Sequence, residues 1–315
     1  MRFSSVLFGL LFLVSQSSFA QSTSLKTELI APSIAFIYGA GPDGQVDKNH
    51  PLGTGFLLSV PKLNQEIGLY GFLATARHIV DPQWAHCGTP NPEKIFYRLN
   101  RRSFDPKQST EGVGYIELPL VRGTDRTFIV DLSNEVDAAL IQLSPATAFS
   151  LNDYNALFLS VNEMASNDEL KQLGVGDMIA SGGLLPGASG RNRNYPLFRY
   201  GYVAALTEED IEVPCVPNGV TRSMRLWLVG ANLSPGASGS PIIYIPPLFG
   251  AASRATIGRA ALIGIQSASF LLADVAGITP ISYVFEMLEN AHLPEANLYR
   301  GAIPEKSVPS VPKSN

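Results

Sequence analysis

The sequence predicts an all-β protein: two six-stranded antiparallel β-barrels with a cleft between them, and a helix near the C-terminal end. Three observations lead to this prediction. Short apolar runs recur along the chain, 28 glycines and 23 prolines separate them with turns, and helical periodicity is scarce. The runs fall into two sets on either side of about residue 150, which indicates one barrel for each set.

Alternation of apolar and polar residues between turn signals predicts the individual strands. In the first set we expect strands at residues 33–38, 53–58, 69–74, 94–99, 113–117, 127–130 and 138–143. A polar loop runs from the first of these strands to Pro51, and extra surface loops are expected at 81–92 and 100–112. In the second set we expect strands at residues 178–181, 198–206, 225–229, 241–245 and 261–267. Helical spacing predicts helices at 162–173 and 283–290, and the second of these would close the second barrel.

The N-terminal segment has the pattern of a secretory signal peptide at residues 1–20. Arg2 supplies a positive start, residues 6–14 form an apolar core, and Ser18-Phe19-Ala20 offers small residues for cleavage. This apolar run is roughly half of the ~20 residues that a membrane-spanning helix needs. We therefore expect a secreted or periplasmic protein. Its first barrel would span 21–148, its second barrel with the helix 149–295, and a flexible tail 296–315.

The charge balance excludes some classes of partner. The formal net charge is −4 and 16% of the residues are charged, so no electrostatic feature favours nucleic acid. No later segment is apolar enough over its length to span a bilayer. The histidines lack the spacing of a ligand set, so we expect neither a metal nor a cofactor; they are His50, His78, His86 and His292.

The two cysteines, Cys87 and Cys215, leave two possibilities open. In an exported protein they could form one disulfide, which would tie the loop after His78 to the loop before Ser238. They could equally remain two separate thiols, because sequence alone does not establish that the geometry of a disulfide is met.

Three short motifs carry the candidate chemistry, in one order along the chain: Ala74-Thr75-Ala76-Arg77-His78, Val136-Asp137-Ala138-Ala139-Leu140 and Pro235-Gly236-Ala237-Ser238-Gly239-Ser240-Pro241. A serine hydroxyl becomes a good nucleophile when a histidine takes its proton, and a carboxylate fixes the tautomer of that histidine. These roles would fall to Ser238, His78 and Asp137. The glycines flanking Ser238 allow the backbone amides of Gly236 and Ser238 to form an oxyanion hole.

Each assignment has a competitor within the chain. Asp131 and Glu135 lie close enough in sequence to replace Asp137, but Asp137 leads directly into an apolar strand. The pentapeptide Pro-Gly-Ala-Ser-Gly also occurs at residues 186–190. A polar loop follows this first copy, whereas an apolar strand follows the second, so we expect Ser189 to be a loop residue.

Taken together, the Thr-Ala-x-His, Asp-x-Ala-Leu and Gly-x-Ser-Gly-Ser-Pro motifs resemble those of trypsin-like (chymotrypsin-fold) serine peptidases. The bacterial branch with Deg/HtrA-like and glutamyl-endopeptidase-like enzymes is the most similar. The resemblance covers roughly residues 30–290. It implies the chymotrypsin-type double barrel, a triad of His78, Asp137 and Ser238 in the cleft, a protein or peptide substrate and no cofactor. It further implies a substrate-binding region that contains Asn232, Ser267, Ala268 and Ser269.

The chain departs from this family pattern at several points. Ala237 stands where the zymogen enzymes carry an aspartate, and no Ile-Val-Gly-Gly start is present. Asn232 is neutral, so cleavage after Lys or Arg is not expected. Glutamyl specificity relies on a histidine in the second barrel, and none lies between His86 and His292. The residues after about 290 are too few for a PDZ domain.

Two other functions compete with a serine endopeptidase. An α/β-hydrolase esterase would use Ser238, Asp274 and His292 in that order, but Ser240 breaks the Gly-x-Ser-x-Gly motif and strand–helix alternation is missing. The second competing function is that of a catalytically inactive binding or scaffold protein on the same fold, since fold alone does not establish activity. Labelling with a serine-reactive probe separates it from the enzyme.

Overall fold

A computed structural model of the chain describes residues 30–62, 69–85, 89–105, 107, 111–214, 220–233, 236–247, 257–270, 274–294, 296 and 298. The predicted signal peptide, both cysteines and nearly all of the predicted tail lie outside these ranges. No helix within the described ranges has the length and apolar character needed to cross a membrane.

The N-terminal half is built from ten strands in the described ranges: β1 (Ile34–Ala40), β2 (Val46–Pro61), β3 (Leu69–Thr75), β4 (Lys94–Asn100), β5 (Val113–Pro119), β6 (Val121–Arg122), β7 (Asp125–Arg126), β8 (Phe128–Val130), β9 (Ala139–Gln142) and β10 (Leu159–Ser160). It also contains the short helices α1 (Arg77–Val80) and α2 (Pro145–Ser150), and 3-10 turns at Ala31–Ser33 and Leu151–Asp153.

The C-terminal half contains a 3-10 turn at Val161–Glu163 and the helices α3 (Asn167–Leu170) and α4 (Ile281–Asn290). Its strands are β11 (Met178–Gly183), β12 (Leu197–Ala205), β13 (Ile211–Pro214), β14 (Thr221–Met224), β15 (Trp227–Gly230), β16 (Pro241–Tyr244), β17 (Ala261–Phe270) and β18 (Val275–Pro280).

The C-terminal half forms a closed six-stranded barrel in the order β11-β12-β15-β18-β17-β16, and all of its pairings are antiparallel. Helix α4 follows β18 and buries Ile281, Val284, Met287 and Leu288, which is the spacing of one helical face. Strands make up 47% and helices 14% of the structure. The all-β prediction, one closed barrel of six strands and the C-terminal helix are thereby confirmed.

A closed six-stranded barrel in the N-terminal half is not confirmed. The strands there form an eight-stranded sheet in the order β5-β4-β1-β2-β3-β9-β8, with β10 parallel to β2. The chain between β5 and β8 pairs with itself as the β6–β7 hairpin. Within the described residues the two ends of the sheet are therefore not joined. The dominance of antiparallel pairing also excludes the parallel doubly wound sheet that an α/β-hydrolase would need.

The predicted helix at 162–173 is wrong in its extent. Met164 forms a β-bridge with Leu262, and the amide of Ala165 donates to the carbonyl of Leu262 at 2.8 Å. This pairing keeps the chain extended, so helix α3 begins only at Asn167, where Ser166 and Glu169 form a capping box. Tertiary pairing has overridden the local helical spacing.

Strand β2 is longer than predicted, and several elements were not predicted. Lys48, Asn49 and His50 near the start of β2 have exposed polar side chains, but Ala40 pairs with Val46 in an extension of the β1–β2 ladder. Strand β18 and the hairpin of β13 and β14 were also missed. The hairpin is a separate two-stranded sheet of two four-residue strands, and Met224 is its one buried side chain, so the apolar alternation that marked it was short.

The N-terminal sheet is buried on both faces. Phe56 and Leu58 of β2 pack into a core shared with the C-terminal barrel, whereas Leu57 between them packs into a second core on the opposite face. Because successive strand residues point to opposite faces, one face of this sheet lies against the barrel. We call the boundary between this face of the sheet and the barrel the seam. The strands that carry the candidate chemistry meet there.

Candidate active site

His78 lies in the first turn of helix α1, directly after strand β3. Thr75, the last residue of β3, pairs with Gly55 and donates its hydroxyl to the carbonyl of Thr54 at 2.7 Å. Ala76 is fully buried and extended, and the chain then turns into the helix. The end of a buried strand thus sets the position of the imidazole.

Asp137 holds His78 with both carboxylate oxygens. Nδ1 of His78 donates to Oδ2 at 2.7 Å, and the backbone amide of His78 donates to Oδ1 at 2.9 Å. The Asp137 side chain has no solvent exposure, while that of His78 is 27% exposed. Burial lowers the pKa of His78, but the charge and hydrogen bond of Asp137 raise this pKa more, so its net shift is upward. The outer nitrogen of the ring stays available for proton transfer.

The other two carboxylates that the sequence offered have different partners. Asp131 accepts the backbone amide of Ser133 at 2.7 Å, and Glu135 accepts the hydroxyl of Ser133 at 2.5 Å. Among the three, Asp137 is the carboxylate that contacts His78.

The backbone of Asp137 is tied to the C-terminal barrel. Its carbonyl accepts from the hydroxyls of Ser267 on β17 and Thr279 on β18, each at 3.3 Å, and these two hydroxyls lie 2.7 Å apart. The hydrogen bonds cross the seam, so the barrel helps to position the carboxylate. Thr279 carries no signal in the sequence because its role depends on this long-range contact.

Ser238 lies in a turn that strand β2 holds from the other half of the molecule. The amide of Thr54 donates to the carbonyl of Ser238 at 2.8 Å, and the hydroxyl of Thr54 donates to the carbonyl of Gly236 at 2.8 Å. A Cβ on Gly53 would lie 2.9 Å from the carbonyl oxygen of Ser238 and 2.5 Å from Cδ1 of Ile79. Gly53 therefore allows the Ser238 turn to approach the residue after His78.

The turn has the backbone that an oxyanion hole needs. Gly236 and Gly239 have φ values of +93° and +86°, a region that favours glycine. Gly239 donates its amide to Gln266, and Ser240 donates to Ala237. The amides of Gly236 and Ser238 have no acceptor among the described residues, so both are available to a ligand.

The structure brings Ser238 and His78 to the same seam without a hydrogen bond between their side chains in the described part of the chain. Such contacts are often long before substrate binds and shorten in the Michaelis complex. Thr54 links the two residues, because it bonds to the Ser238 turn and its carbonyl accepts from Thr75 at the end of β3.

The residues predicted to bind substrate form two adjoining segments. Ser267 and Ala268 are buried, and the Ser267 hydroxyl donates to the carbonyl of Asp137. The backbone of this segment is therefore the part that could contact a substrate. Ser269 donates its hydroxyl to the carbonyl of Leu233 at 2.5 Å. This bond joins the segment to Asn232, which is exposed and donates to Asp274 at 3.1 Å. Asp274 places a carboxylate beside Asn232 that the sequence did not associate with it.

Among the described residues, strand β17 has no strand partner along one edge beside these residues. It pairs with β18 as far as Phe270, whereas its pairing with β16 ends at Ile265. Gln266 completes that edge through bonds to Gly239 and Ser240. The following residues leave backbone groups on this side that an added strand could use.

A cluster around Trp84 fixes the loop after His78, and the sequence did not indicate it. The guanidinium groups of Arg77 and Arg222 both lie over the Trp84 ring, at 4.7 and 3.9 Å from its centroid. Its Nε1 donates to the carbonyl of Asn134 at 2.9 Å. Helix α1, the segment before Asp137 and strand β14 are thereby joined. No group of three or more metal-ligating side chains occurs among the residues that the structure describes.

Comparison with known proteins gives similarity of structure only. No family model and no curated protein matches the chain. The active form of the Rv3671c protease from M. tuberculosis is similar with 16% identity and a TM-score of 0.43, over 92% of this chain and 96% of that chain. Its inactive form has 14% identity and a TM-score of 0.41, over 84% and 92%. Catalytically inactive tobacco etch virus protease complexed with substrate has 14% identity and a TM-score of 0.42, over 87% and 90%.

Proposed function

We propose that this chain is a serine endopeptidase that hydrolyses peptide bonds through an acyl-enzyme, with Ser238, His78 and Asp137 as its triad. One observation carries the proposal. The buried Asp137 holds His78 through the ring and the backbone, at 2.7 and 2.9 Å, and β2 holds the Ser238 turn at the same seam. A lone histidine with a carboxylate is common, but here the turn that carries Ser238 lies at the same seam, and the amides of Gly236 and Ser238 have no acceptor among the described residues.

In the proposed mechanism, the Ser238 hydroxyl attacks the carbonyl carbon while Nε2 of His78 takes its proton. Asp137 keeps Nδ1 protonated and stabilises the imidazolium that forms. The amides of Gly236 and Ser238 receive the oxyanion, and His78 then gives its proton to the leaving amine. A water molecule repeats these steps and releases the acyl group from Ser238.

The substrate would bind as an added strand along the open edge of β17 at residues 267–269. Its acyl-side chain would enter between this segment and residues 231–233. The bond between Ser269 and Leu233 spans these two segments, which favours a small side chain. Asn232 is neutral, so an uncharged side chain fits better than Lys or Arg.

Export is part of the proposal, and residues 1–20 support it as a signal peptide. We expect the mature protein to begin at Gln21 and to be found in the periplasm or medium. N-terminal sequencing of the protein recovered from each compartment tests this expectation. A chain that retains Met1 and stays with the cytoplasm would contradict it.

The first experiment is labelling with a fluorophosphonate, mapped by peptide mass spectrometry. We expect label on Ser238 in the wild type and in the control His292→Ala, and none in His78→Ala. His292 is the histidine that an α/β-hydrolase arrangement would use, so the control tests that alternative as well. Label on Ser189, or label that survives in His78→Ala, would overturn the triad. A wild type without label would support the inactive binding protein.

A further inference from the structure

A cavity of about 690 Å³ opens beside His78. Its floor is formed by Leu52 and Ile79, and residues 39–42 and 44 form one wall. The opposite wall comes from the loop after α1 and includes Pro82 and Pro90. The volume lies within the ~300–1,000 Å³ typical of sites for small ligands.

The walls are held by hydrogen bonds within the protein. Asn91 donates to the buried carboxylate of Asp81 at 2.8 Å, and its side-chain oxygen accepts the amide of Gln83 at 3.0 Å. The opposite turn is closed by the amide of Gly41, which donates to the carbonyl of Gln45 at 2.7 Å. The loop residues are therefore folded back over the floor before any ligand binds, which lowers the entropy cost of binding.

The position of the cavity relates it to the reaction of the proposed function. Of the triad, His78 alone lines the cavity, and every described lining residue belongs to the N-terminal half. The acyl part of a substrate is bonded to Ser238 and follows β17 in the other half. The leaving amine takes its proton from His78, so the leaving segment must pass this imidazole.

The chemistry of the lining selects one class of side chain. Leu52, Ile79 and the prolines present carbon atoms to the interior. Lys94 forms an ion pair with Glu117 at 2.9 Å, so its charge is already compensated. The other ionisable lining residues outside the triad, His50 and Glu93, are exposed to solvent, so a charged ligand group would gain little from them. An apolar side chain would be removed from water against Leu52 and Ile79.

We propose that this cavity binds a large apolar side chain from the segment that follows the scissile bond, and so sets the specificity of the enzyme on its leaving-group side. The inference rests on the proposed function and names part of its substrate. It predicts that cleavage sites carry leucine, phenylalanine or a similar residue just after the broken bond.

Acyl transfer to added amines tests the proposal. The acyl donor is acetyl-alanine 4-nitrophenyl ester, whose acyl group is small and uncharged. An amino acid amide then attacks the carbonyl of the acyl-Ser238 ester, a new amide bond forms, and the Ser238 oxygen leaves with a proton from His78. Chromatography with mass spectrometry measures this product against acetyl-alanine formed by water. We expect leucinamide and phenylalaninamide to be acylated about tenfold more efficiently than glycinamide or lysinamide.

A variant that fills the cavity sharpens the test. Ala40 is an exposed lining residue, so Ala40→Trp should fold and should reduce the preference for leucinamide over glycinamide to about twofold. Val175 is 64% exposed and does not line the cavity, so Val175→Trp is the matched control and should keep the full preference.

The outcomes separate this inference from the proposed function. Absence of nitrophenol release by the wild type would overturn the endopeptidase itself. Release with equal use of all amides, with preference for lysinamide, or with full preference in Ala40→Trp would overturn the cavity assignment alone. A preference for large apolar residues that appears when the acyl residue is varied, and not when the amine is varied, would place the cavity on the acyl side. It would also overturn the cavity assignment.

Discussion

The pentapeptide Pro-Gly-Ala-Ser-Gly occurs twice in this chain, and the two copies have similar backbones in very different surroundings. The second and fifth residues have φ values of +84° and +81° in the first copy, at Gly187 and Gly190. They are +93° and +86° in the second copy, at Gly236 and Gly239. The alanine between them is exposed in the first copy and 1% exposed in the second. Identical residues thus form similar turns, of which one is packed into the seam.

The difference comes from contacts distant in sequence. At the fifth residue, a Cβ on Gly190 would lie 2.2 Å from the carbonyl oxygen of Arg193 in its own loop, whereas a Cβ on Gly239 would lie 2.0 Å from the carbonyl oxygen of the distant Thr54. The two turns also touch, because a Cβ on Gly236 would lie 2.6 Å from Pro186. The first copy therefore supports the second and does not duplicate it. Local sequence supplies a turn, and its partner surface determines what that turn can do.

Replacing each of the two serines with alanine should give the largest difference in turnover. Ser238→Ala should lower the turnover of labelled casein by at least about 10⁴-fold, because the nucleophile is lost. Ser189→Ala should change turnover by less than about twofold, because surface substitutions usually have small effects. Circular dichroism should show both variants folded. Equal losses of turnover in the two variants would mean that Ser189 is needed for catalysis as well as Ser238.

In the proposed function the serine of the second turn works with His78 and Asp137, and this can be tested by pH. Since the pKa of His78 is raised above its usual 6.5, the free base becomes the major form of the imidazole only at a pH above 6.5. The kcat/KM of the wild type should therefore rise with pH through a midpoint above 6.5 and fall on acidification. Asp137→Asn should lower kcat by about 10⁴-fold and move the midpoint to lower pH. Asp131→Asn is the matched control, and an equal fall there would refute the assignment of Asp137.

Alanine at two glycines of similar φ, one from each copy of the pentapeptide, separates backbone strain from packing. Gly187→Ala and Gly239→Ala place a Cβ at nearly the same φ, so each should cost about 1 kcal/mol in backbone strain. Gly239→Ala also collides with Thr54, so its total cost should be about 3 kcal/mol or more. Urea denaturation measures both free energies of unfolding. Similar values for the two variants would show that the seam can relax around the second turn.

The smallest expected effect concerns the residue that anchors the first turn. Arg98 is 2% exposed and donates to the carbonyls of Gly190 and Arg191, both at 2.8 Å. Arg98→Met would leave these carbonyls unpaired, at about 1–3 kcal/mol. Because Pro186 of this loop lies against Gly236, we expect kcat to fall about tenfold with little change in KM.

Arg102→Met is the control for this prediction, because Arg102 donates to Tyr154 and not to the first turn. Stopped assays at saturating and at low substrate give kcat and kcat/KM for both variants. A loss of stability in Arg98→Met with unchanged kcat would show that the first turn does not support the second.

Much of the fold followed from local patterns. Apolar alternation located β1, β3, β4 and β9 to within about two residues, and helical spacing located α4. The patterns failed where pairing depended on distant partners. Residues 162–173 have helical spacing, yet pairing with Leu262 keeps Met164 and Ala165 extended. The polar start of β2 had no apolar signal, because its position depends on the β1 ladder.

By itself the sequence determined the all-β character, the C-terminal helix and the glycine-dependent turns, because each of these follows from side-chain periodicity or from the conformational freedom of glycine. It also supplied the candidate residues His78, Asp137 and Ser238. Only the tertiary structure decided which carboxylate contacts His78 and which of two identical pentapeptides lies against Thr54. That last contact joins residues 182 positions apart. Such choices depend on how two sheets pack together, and no local pattern contains that information.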